Sequence, residues 1–511
     1  MFPGNYEGGR DQHLGNHYHA PVYMISSITD KPADSIAESG NSKKPHPRLN
    51  DEEKKQPSFE GMLSRRTVTI LQGLTIAESR ESLRSLDSYQ REDNITDGLE
   101  GTCGWIFSSH ECQQWKRDGG VLLIRGNPGC GKSTLLKHAL TRERHDNPLP
   151  ESLTMSFFFD ESRVETHNSI VSLLRSLLGQ LVDQDESVRP TFHETYCKQL
   201  ARHDTKSSLS VWNHNVLEQT FKGLLWNSAR RHMVKVFIDA IDECHERDRD
   251  DVIRFLHSLK IPKLMPSHNF ALFLTSRYHP DGQISFDQRI DLEQRTQDDI
   301  RTYIETMLRL PAASGTRRMV TEELQKGADG SFLWLSLLLP RINVLSGQGS
   351  TQKEMLREIE QCPLTLDKLY EGLLDQISRN DLPEAGRLFQ WICHGKRRLK
   401  VSELRTALAI HATSVEQSLS DYLDEKNPDY IPDDETMIKR VRYLSQGLVN
   451  KVDAANDEDF LGFHHTSITQ FMLGTGLDIV ARKVSDLGGV FDKDRSCFAN
   501  VCIRFLSTRD I

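Results

Sequence analysis

The sequence predicts an α/β fold through its middle third, a parallel sheet with helices on both faces. A helical bundle and a small unit of helices plus a hairpin are expected to follow. Three observations predict this. Apolar runs without polar alternation recur at Val121–Gly126, Met155–Phe159, Val234–Asp239 and Phe270–Ser276, with helical stretches between them, as in strands buried on both faces. A Gly-rich loop leaves the first run and opens a helix. After Thr296 the strand-like runs stop and helical periodicity takes over.

The elements follow in order. Residues 1–75 form an N-terminal segment rich in Gly, His, Asn and Tyr and then in charge and proline; 28–58 offers almost nothing to bury and is expected to be disordered. Residues 76–118 read as a helical linker, with Leu83, Leu86 and Tyr89 at three-residue spacing and Ile95, Leu99, Trp105, Ile106 and Trp115 as apolar anchors. Residues 119–294 hold the four strands named above and a fifth at Arg289–Glu293. Helices are expected from Lys132 to about Arg144, at Ile170–Val182 and over DVIRFLHSLK. Residues 295–380 read as a helical domain built from DDIRTYIETMLRL, TEELQKGADGSFLWLSLLL and TLDKLYEGLLDQI. In 381–480, LPEAGRLFQWICHG and VSELRTALAIHA precede RYLSQGLVNKV and DFLGFHH, read as a hairpin, which fits a winged-helix unit. Residues 481–511 read as the start of a further helical segment, with the chain ending inside it.

Composition narrows the function classes. The 511 residues are 37% hydrophobic and 27% charged, as in soluble globular proteins. The longest apolar run, Phe332–Leu339, is far short of the ~18 residues of a membrane-spanning helix, and the first twenty residues contain no apolar signal block. Nine scattered cysteines point to reduced thiols and a cytoplasmic setting. A net charge of −9 argues against a general binder of nucleic acid or anionic membrane.

The chemistry centres on GNPGCGKS, Gly126 to Ser133, which matches G-x-x-x-x-G-K-[ST] between a strand and a helix. Its glycines at 126, 129 and 131 let the backbone N–H groups approach phosphates closely, so Gly126, Asn127, Pro128, Gly129, Cys130, Gly131, Lys132, Ser133 and Thr134 form the candidate nucleotide loop. Lys132 is expected to reach the β- and γ-phosphates and Ser133 to ligate Mg²⁺. About 100 residues on, VKVFIDAIDEC ends a buried strand in Asp239, a second Mg²⁺-directed group, followed by the small Ala240. Asp242 and Glu243 are candidates to polarise an attacking water; a helix-start acidic pair is the structural alternative. Arg277, just past Phe270–Ser276, stands at the sheet edge where ligands bind and is a candidate γ-phosphate contact, or else a solvated loop arginine.

Other patterns weigh less. Asn450-Lys451-Val452-Asp453 spells the guanine-reading N-K-x-D, but lies some 320 residues beyond Lys132 and is expected in a hairpin turn. His13, His17 and His19 read as a chance cluster. Cys103, His110 and Cys112 lack a zinc spacing. GKRRLK (Gly395–Lys400) reads as a solvated turn before a helix.

The loop, the D-A-I-D-E segment and the T-S-R segment together resemble a NACHT domain, a signal-transducing P-loop NTPase of the STAND class, similar to NOD-like receptors. Residues Leu83–Trp115, DGSFLWLSLLL and FHHTSITQF are similar to its fungal branch, often linked to heterokaryon incompatibility. The resemblance implies an α/β P-loop NTPase with an ASCE/AAA+-like parallel sheet, followed by a helical bundle and a winged-helix domain. It also implies a role for His465, matching the winged-helix histidine that contacts the β-phosphate of ADP and holds the closed form. Where relatives place a proline near the adenine, this chain has Gly330-Ser331. Relatives continue into ankyrin, WD or TPR repeats, and the chain stops before any. Residues 5–27 occupy the effector position, where some relatives carry a short amyloid-forming motif; Pro21 and several charges oppose that here.

The expected function is a switch: ATP or GTP binding and slow hydrolysis controlling oligomerisation and signalling in fungal non-self recognition or programmed cell death. The expected ligands are Mg²⁺ and ATP/ADP, with GTP possible, and the expected partners a self-oligomer and a protein effector reached through the N-terminal segment. The alternatives are a small-molecule P-loop kinase and a nucleotide-free scaffold with a relic loop.

Overall fold

The computed structural model describes residues 74–487, apart from 84–90, 150, 161–167, 203–211, 260–268, 279–284, 312–313, 396–397, 413–425, 427–429 and 454–458. The N-terminal expectations, including the motif at 5–27 and His13, His17 and His19, lie outside the described residues, as does the segment after Leu487.

Five parallel strands make the main sheet: β1 (Gly120–Arg125), β2 (Ser152–Phe158), β3 (Met233–Asp239), β4 (Phe270–Ser276) and β5 (Gln288–Asp291), in the order β2-β3-β4-β1-β5. The register pairs Arg125 with both Ser276 and Asp291, Phe158 with Asp239, and Ile238 with Leu274. The strands therefore end together, and the Gly-rich loop, Asp239 and Arg277 emerge at one edge. Alternation along each strand sends side chains to two cores. Leu122, Ile124, Phe237 and Phe273 join Trp115 and Leu136 on one face; Leu123, Val236, Leu272 and Leu274 join the other. Burying each such side chain contributes roughly 2 kcal/mol, so the strands need no polar alternation to stay in place.

Helix Ile170–Gln184 starts at Ser169, whose side chain accepts from Ser172 N, and buries Leu173, Leu174, Leu177, Leu178 and Leu181. Helices Arg189–Arg202 and His214–Ser228 complete that layer, through Phe192, Tyr196, Leu217 and Phe221. The sequence reading assigned neither, because their apolar residues are diluted by charge and polar side chains.

Beyond the sheet, helices Gln297–Met307, Gly315–Ala328, Phe332–Gly347, Gln352–Gln361 and Leu366–Asp375 form the bundle. The stretch TEELQKGADGSFLWLSLLL is two helices, not one. Asp329 (φ +42°) and Gly330 (φ +86°) turn the backbone left-handed, and Ser331 restarts the helix by accepting from Trp334 N. The winged-helix unit has helices Leu382–His394, Val401–Ala412 and Asp434–Leu444 and an antiparallel sheet of β6 (Leu399–Lys400), β7 (Val449–Asp453) and β8 (Asp459–Phe463), ordered β6-β8-β7. The residues RYL, expected in the hairpin, close helix Asp434–Leu444; Gln446 and Gly447 at positive φ then turn the chain into β7. One continuous apolar core runs through bundle and winged-helix unit, from Ile300 to Val484. Among the described residues no helix is long and apolar enough to cross a membrane.

Candidate nucleotide-binding site

The Gly-rich loop takes its shape from residues a side chain would obstruct. Gly129 sits at φ +78°, and a Cβ there would lie 2.4 Å from Leu333 Cβ; its carbonyl accepts from Leu333 N at 3.2 Å. Gly131 (φ +92°) caps helix Lys132–Asp146, whose first N–H groups lack intrahelical acceptors and face the loop, the usual anion-binding arrangement. Lys132 Nζ donates to the carbonyls of Gly126 (2.7 Å) and Asn127 (2.9 Å). Asn127 N donates to Glu293, which also accepts from the Tyr278 hydroxyl at 2.6 Å, so the turn Leu292–Gln294 after β5 pins the loop's leading arm. Cys130 is buried and its thiol is pushed up to about 11 by burial, so it packs rather than reacts.

Replacing Gly129 with alanine combines a left-handed backbone with that clash. The expected cost is about 1–3 kcal/mol, read as a lowered Tm together with weakened nucleotide binding. A Tm equal to the parent would show that the loop and Leu333 can separate freely.

Asp239 is fully buried. Its Oδ1 accepts from Thr275 Oγ1 at 2.5 Å, and the same hydroxyl accepts from Ala240 N at 2.8 Å. Among the described residues its Oδ2 is buried with no hydrogen-bond partner, and the Ser133 hydroxyl lies close enough to interact with the carboxylate. Burial raises the Asp239 carboxyl, against the pull of Arg91. An orphaned carboxylate oxygen beside a hydroxyl at a phosphate loop fits the ligand demands of Mg²⁺.

Asp242 and Glu243 have separate surroundings. Asp242 Oδ1 accepts from Arg277 N (2.8 Å) and Oδ2 pairs with Arg277 Nε (3.0 Å); burial, then the neighbouring Glu243, raises its carboxyl. The Arg277 Nη1 reaches Gln470 at 3.0 Å. Glu243 is buried between Arg91 Nη1 (2.6 Å to Oε2) and Thr466 Oγ1 (2.8 Å to Oε1). Burial pushes its carboxyl up, but the charge and hydrogen bond of Arg91 hold it below the ordinary value.

His465 precedes helix Thr466–Phe471 and caps it: Nδ1 accepts from Ser467 N at 3.0 Å. A ring nitrogen accepting from a backbone N–H carries no proton, so the neutral ring bears its hydrogen on Nε2, which is a donor. Burial, aided by Lys132, lowers its pKa to about 3. Ser133, Thr134, Asp160, His465 and Thr466 line one cavity of about 580 Å³, which the segment 91–97 also borders. That segment is fixed by Glu92 bonds to Arg144 and Ser156 and by Lys137 Nζ, which donates to Ile95 O at 2.6 Å. A second cavity of about 590 Å³ lies at the opposite end of the sheet, beside Trp115, Gly120 and Phe270.

The His465 shift has a direction in pH. The unfolded imidazole takes up a proton below about 6.5 while the folded one stays neutral until about 3. The unfolded state therefore binds more protons, and this stabilisation, complete above about pH 6.5, is lost as pH falls toward 3. Tm is expected to drop between pH 7.5 and 5, less steeply in His465→Phe; equal slopes would refute the assignment.

The structure thus gathers Ser133, Asp239, Asp242, Glu243, Arg277 and His465 at one sheet edge. N-K-x-D lies in strand β7 and not in a turn, Asn450 opposite Gly462 in the winged-helix hairpin, where the Asn450 side chain is bonded to His464 and Arg442. Sequence reasoning missed Arg91, Glu293 and Thr466; only Thr466 had a local signal, its place beside His465.

Residues 101–277 match the family described as Nephrocystin 3, N-terminal. No curated protein matches the chain. Among solved structures, a STAND protein with a tetratricopeptide repeat sensor from Pyrococcus horikoshii has TM-score 0.41 and 12% identity, over 83% of this chain and 50% of that one. The Aeropyrum pernix Orc1 protein, solved with DNA, has TM-score 0.32 and 10% identity, over 79% and 97%. The chain spans half the length of the Pyrococcus protein. The strand order, the loop between β1 and its helix, and the match over 101–277 make this an α/β P-loop NTPase fold, similar in that region to the N-terminal part of nephrocystin 3.

Proposed function

We propose that the protein is a nucleotide-dependent switch of the NACHT/STAND kind, which binds ATP or GTP with Mg²⁺, hydrolyses it slowly and thereby controls its own oligomerisation. The observation that carries this reading is the shared cavity: Ser133 and Thr134 of the phosphate loop and His465 of the winged-helix unit line the same space. One bound nucleotide can then touch both parts of the chain and report its phosphate number to the second.

The residues divide the work. The N–H groups from Gly129 to Ser133 and the Lys132 ammonium bind the phosphate chain. Ser133 and Asp239 would hold Mg²⁺, which neutralises phosphate charge when bound. Asp242 or Glu243 orients and deprotonates the attacking water, and Arg277 contacts the γ-phosphate after giving up Gln470. His465 Nε2–H donates to the β-phosphate of the diphosphate. The nucleotide shifts the equilibrium only through its differential affinity for the two arrangements, so His465 and Arg277 are the residues that must distinguish them. The proposed setting is the cytoplasm, with an effector engaged through residues 5–27 in fungal non-self recognition or cell death, as the family resemblance implies.

The test is to release and identify the nucleotide from freshly purified protein, then measure assembly mass with a non-hydrolysable triphosphate. A bound diphosphate and a larger mass with the triphosphate are expected. Protein that carries and binds no nucleotide, or a mass indifferent to it, overturns the reading.

A further inference from the structure

Glu243 is held from outside the phosphate-loop core on both sides. Arg91, in the turn Arg91–Asn94, pairs with Oε2 at 2.6 Å, and Thr466 of the winged-helix unit donates to Oε1 at 2.8 Å. Arg91 is itself fixed in place: its neighbour Glu92 is tied to Arg144 and Ser156 on the sheet domain. The Thr466 grip is different, because it belongs to another unit and joins residues 223 apart. The two units also meet through Arg277–Gln470 and through Arg398 Nη2, 3.5 Å from Asp160 Oδ2. Of these three contacts among the described residues, the one from Thr466 lands on an acid with a proposed part in water activation.

A carboxylate acts as general base only when an oxygen faces the water it deprotonates. A hydroxyl donating to Oε1 and a guanidinium on Oε2 oppose that on both oxygens. We infer that Thr466 is a positioning residue that restrains Glu243, so that hydrolysis is gated by docking of the winged-helix unit as well as by nucleotide occupancy. This rests on the switch reading and assigns its hydrolytic step to Glu243 rather than Asp242. When the unit undocks, Oε1 loses the Thr466 donor and keeps Arg277 Nη2 as an ion-pair partner at 3.9 Å, beyond hydrogen-bond reach, so it can accept a proton from water while Arg91 continues to orient Oε2. While it stays docked, bound triphosphate persists, which is how a slow clock is built from an intact acid.

The test uses the full chain with Mg²⁺ and ATP, with nucleotide affinity and Tm measured on the same samples. Thr466→Val keeps the side-chain volume and removes the donor; turnover is expected to rise about tenfold at unchanged KM, the rate equivalent of one hydrogen bond to a charged group. Thr466→Ser retains the hydroxyl and should return to the parent rate. Adding Glu243→Gln to Thr466→Val should abolish the gain. The inference is overturned by a Thr466→Val rate at or below the parent, by a gain that survives Glu243→Gln, or by a gain shared by Thr466→Ser. If Thr466→Val folds poorly, Thr466→Ala is read by the same criteria. Parent protein that binds ATP but shows none of these differences rejects the restraint alone; parent protein that fails to bind ATP rejects the switch and the restraint with it.

Discussion

Lys132→Ala is expected to weaken nucleotide binding by at least a hundredfold. The ammonium is placed to exchange two carbonyl contacts, at 2.7 Å to Gly126 and 2.9 Å to Asn127, for phosphate oxygens at the same loop. Each charge-assisted bond is worth about 1.5–3 kcal/mol, so losing two removes roughly 3 kcal/mol or more, a hundredfold in affinity. The variant also releases those carbonyls: Asn127 is exposed and water can replace its donor, whereas Gly126 is buried and loses a bond worth about 1–3 kcal/mol. Tm should therefore fall modestly, and titration with a fluorescent nucleotide at a temperature well below Tm should separate the two effects. Parent-like affinity in Lys132→Ala would mean that the loop does not carry the phosphates.

How much of the fold and site was legible in the sequence depended on the range of the interaction. Strands β1, β3 and β4 announce themselves because burial on both faces leaves uninterrupted apolar runs, and the phosphate loop because its backbone demands glycine at fixed spacing. Helices Arg189–Arg202 and His214–Ser228 were not read, since each buries one narrow stripe beneath a charged surface. The break at Asp329–Gly330 was missed because a single left-handed turn does not disturb the periodicity on either side. The site followed the same rule. Ser133, Asp239 and Arg277 sit in local motifs, whereas the Arg91–Glu243 and Thr466–Glu243 bonds join residues 152 and 223 apart, and no local pattern encodes a pairing at that distance. His465 was reached by resemblance; its tautomer is set by the Ser467 contact and its neutral charge by burial.

His465→Asn separates the two roles of that residue. Asparagine is among the best helix N-caps, so its side-chain oxygen can still accept from Ser467 N, while it is too short to present the Nε2 donor to a phosphate. Diphosphate affinity is then expected to fall about ten- to a hundredfold, the value of one hydrogen bond to a charged group, while triphosphate affinity moves far less. Whether the winged-helix unit then undocks is decided by its remaining contacts. Thr466–Glu243 at 2.8 Å, Arg277–Gln470 at 3.0 Å and Arg398–Asp160 at 3.5 Å still join it to the sheet domain. Each is worth about 1 kcal/mol, so together they rival the lost phosphate contact and the unit should stay docked at saturating diphosphate. Larger assemblies should form only where diphosphate falls below the new Kd, measured as mass against nucleotide concentration. A His465→Asn protein that binds di- and triphosphate as the parent does would leave His465 as a helix cap alone, and the nucleotide would then have to act on the winged-helix unit through Arg277 and Gln470.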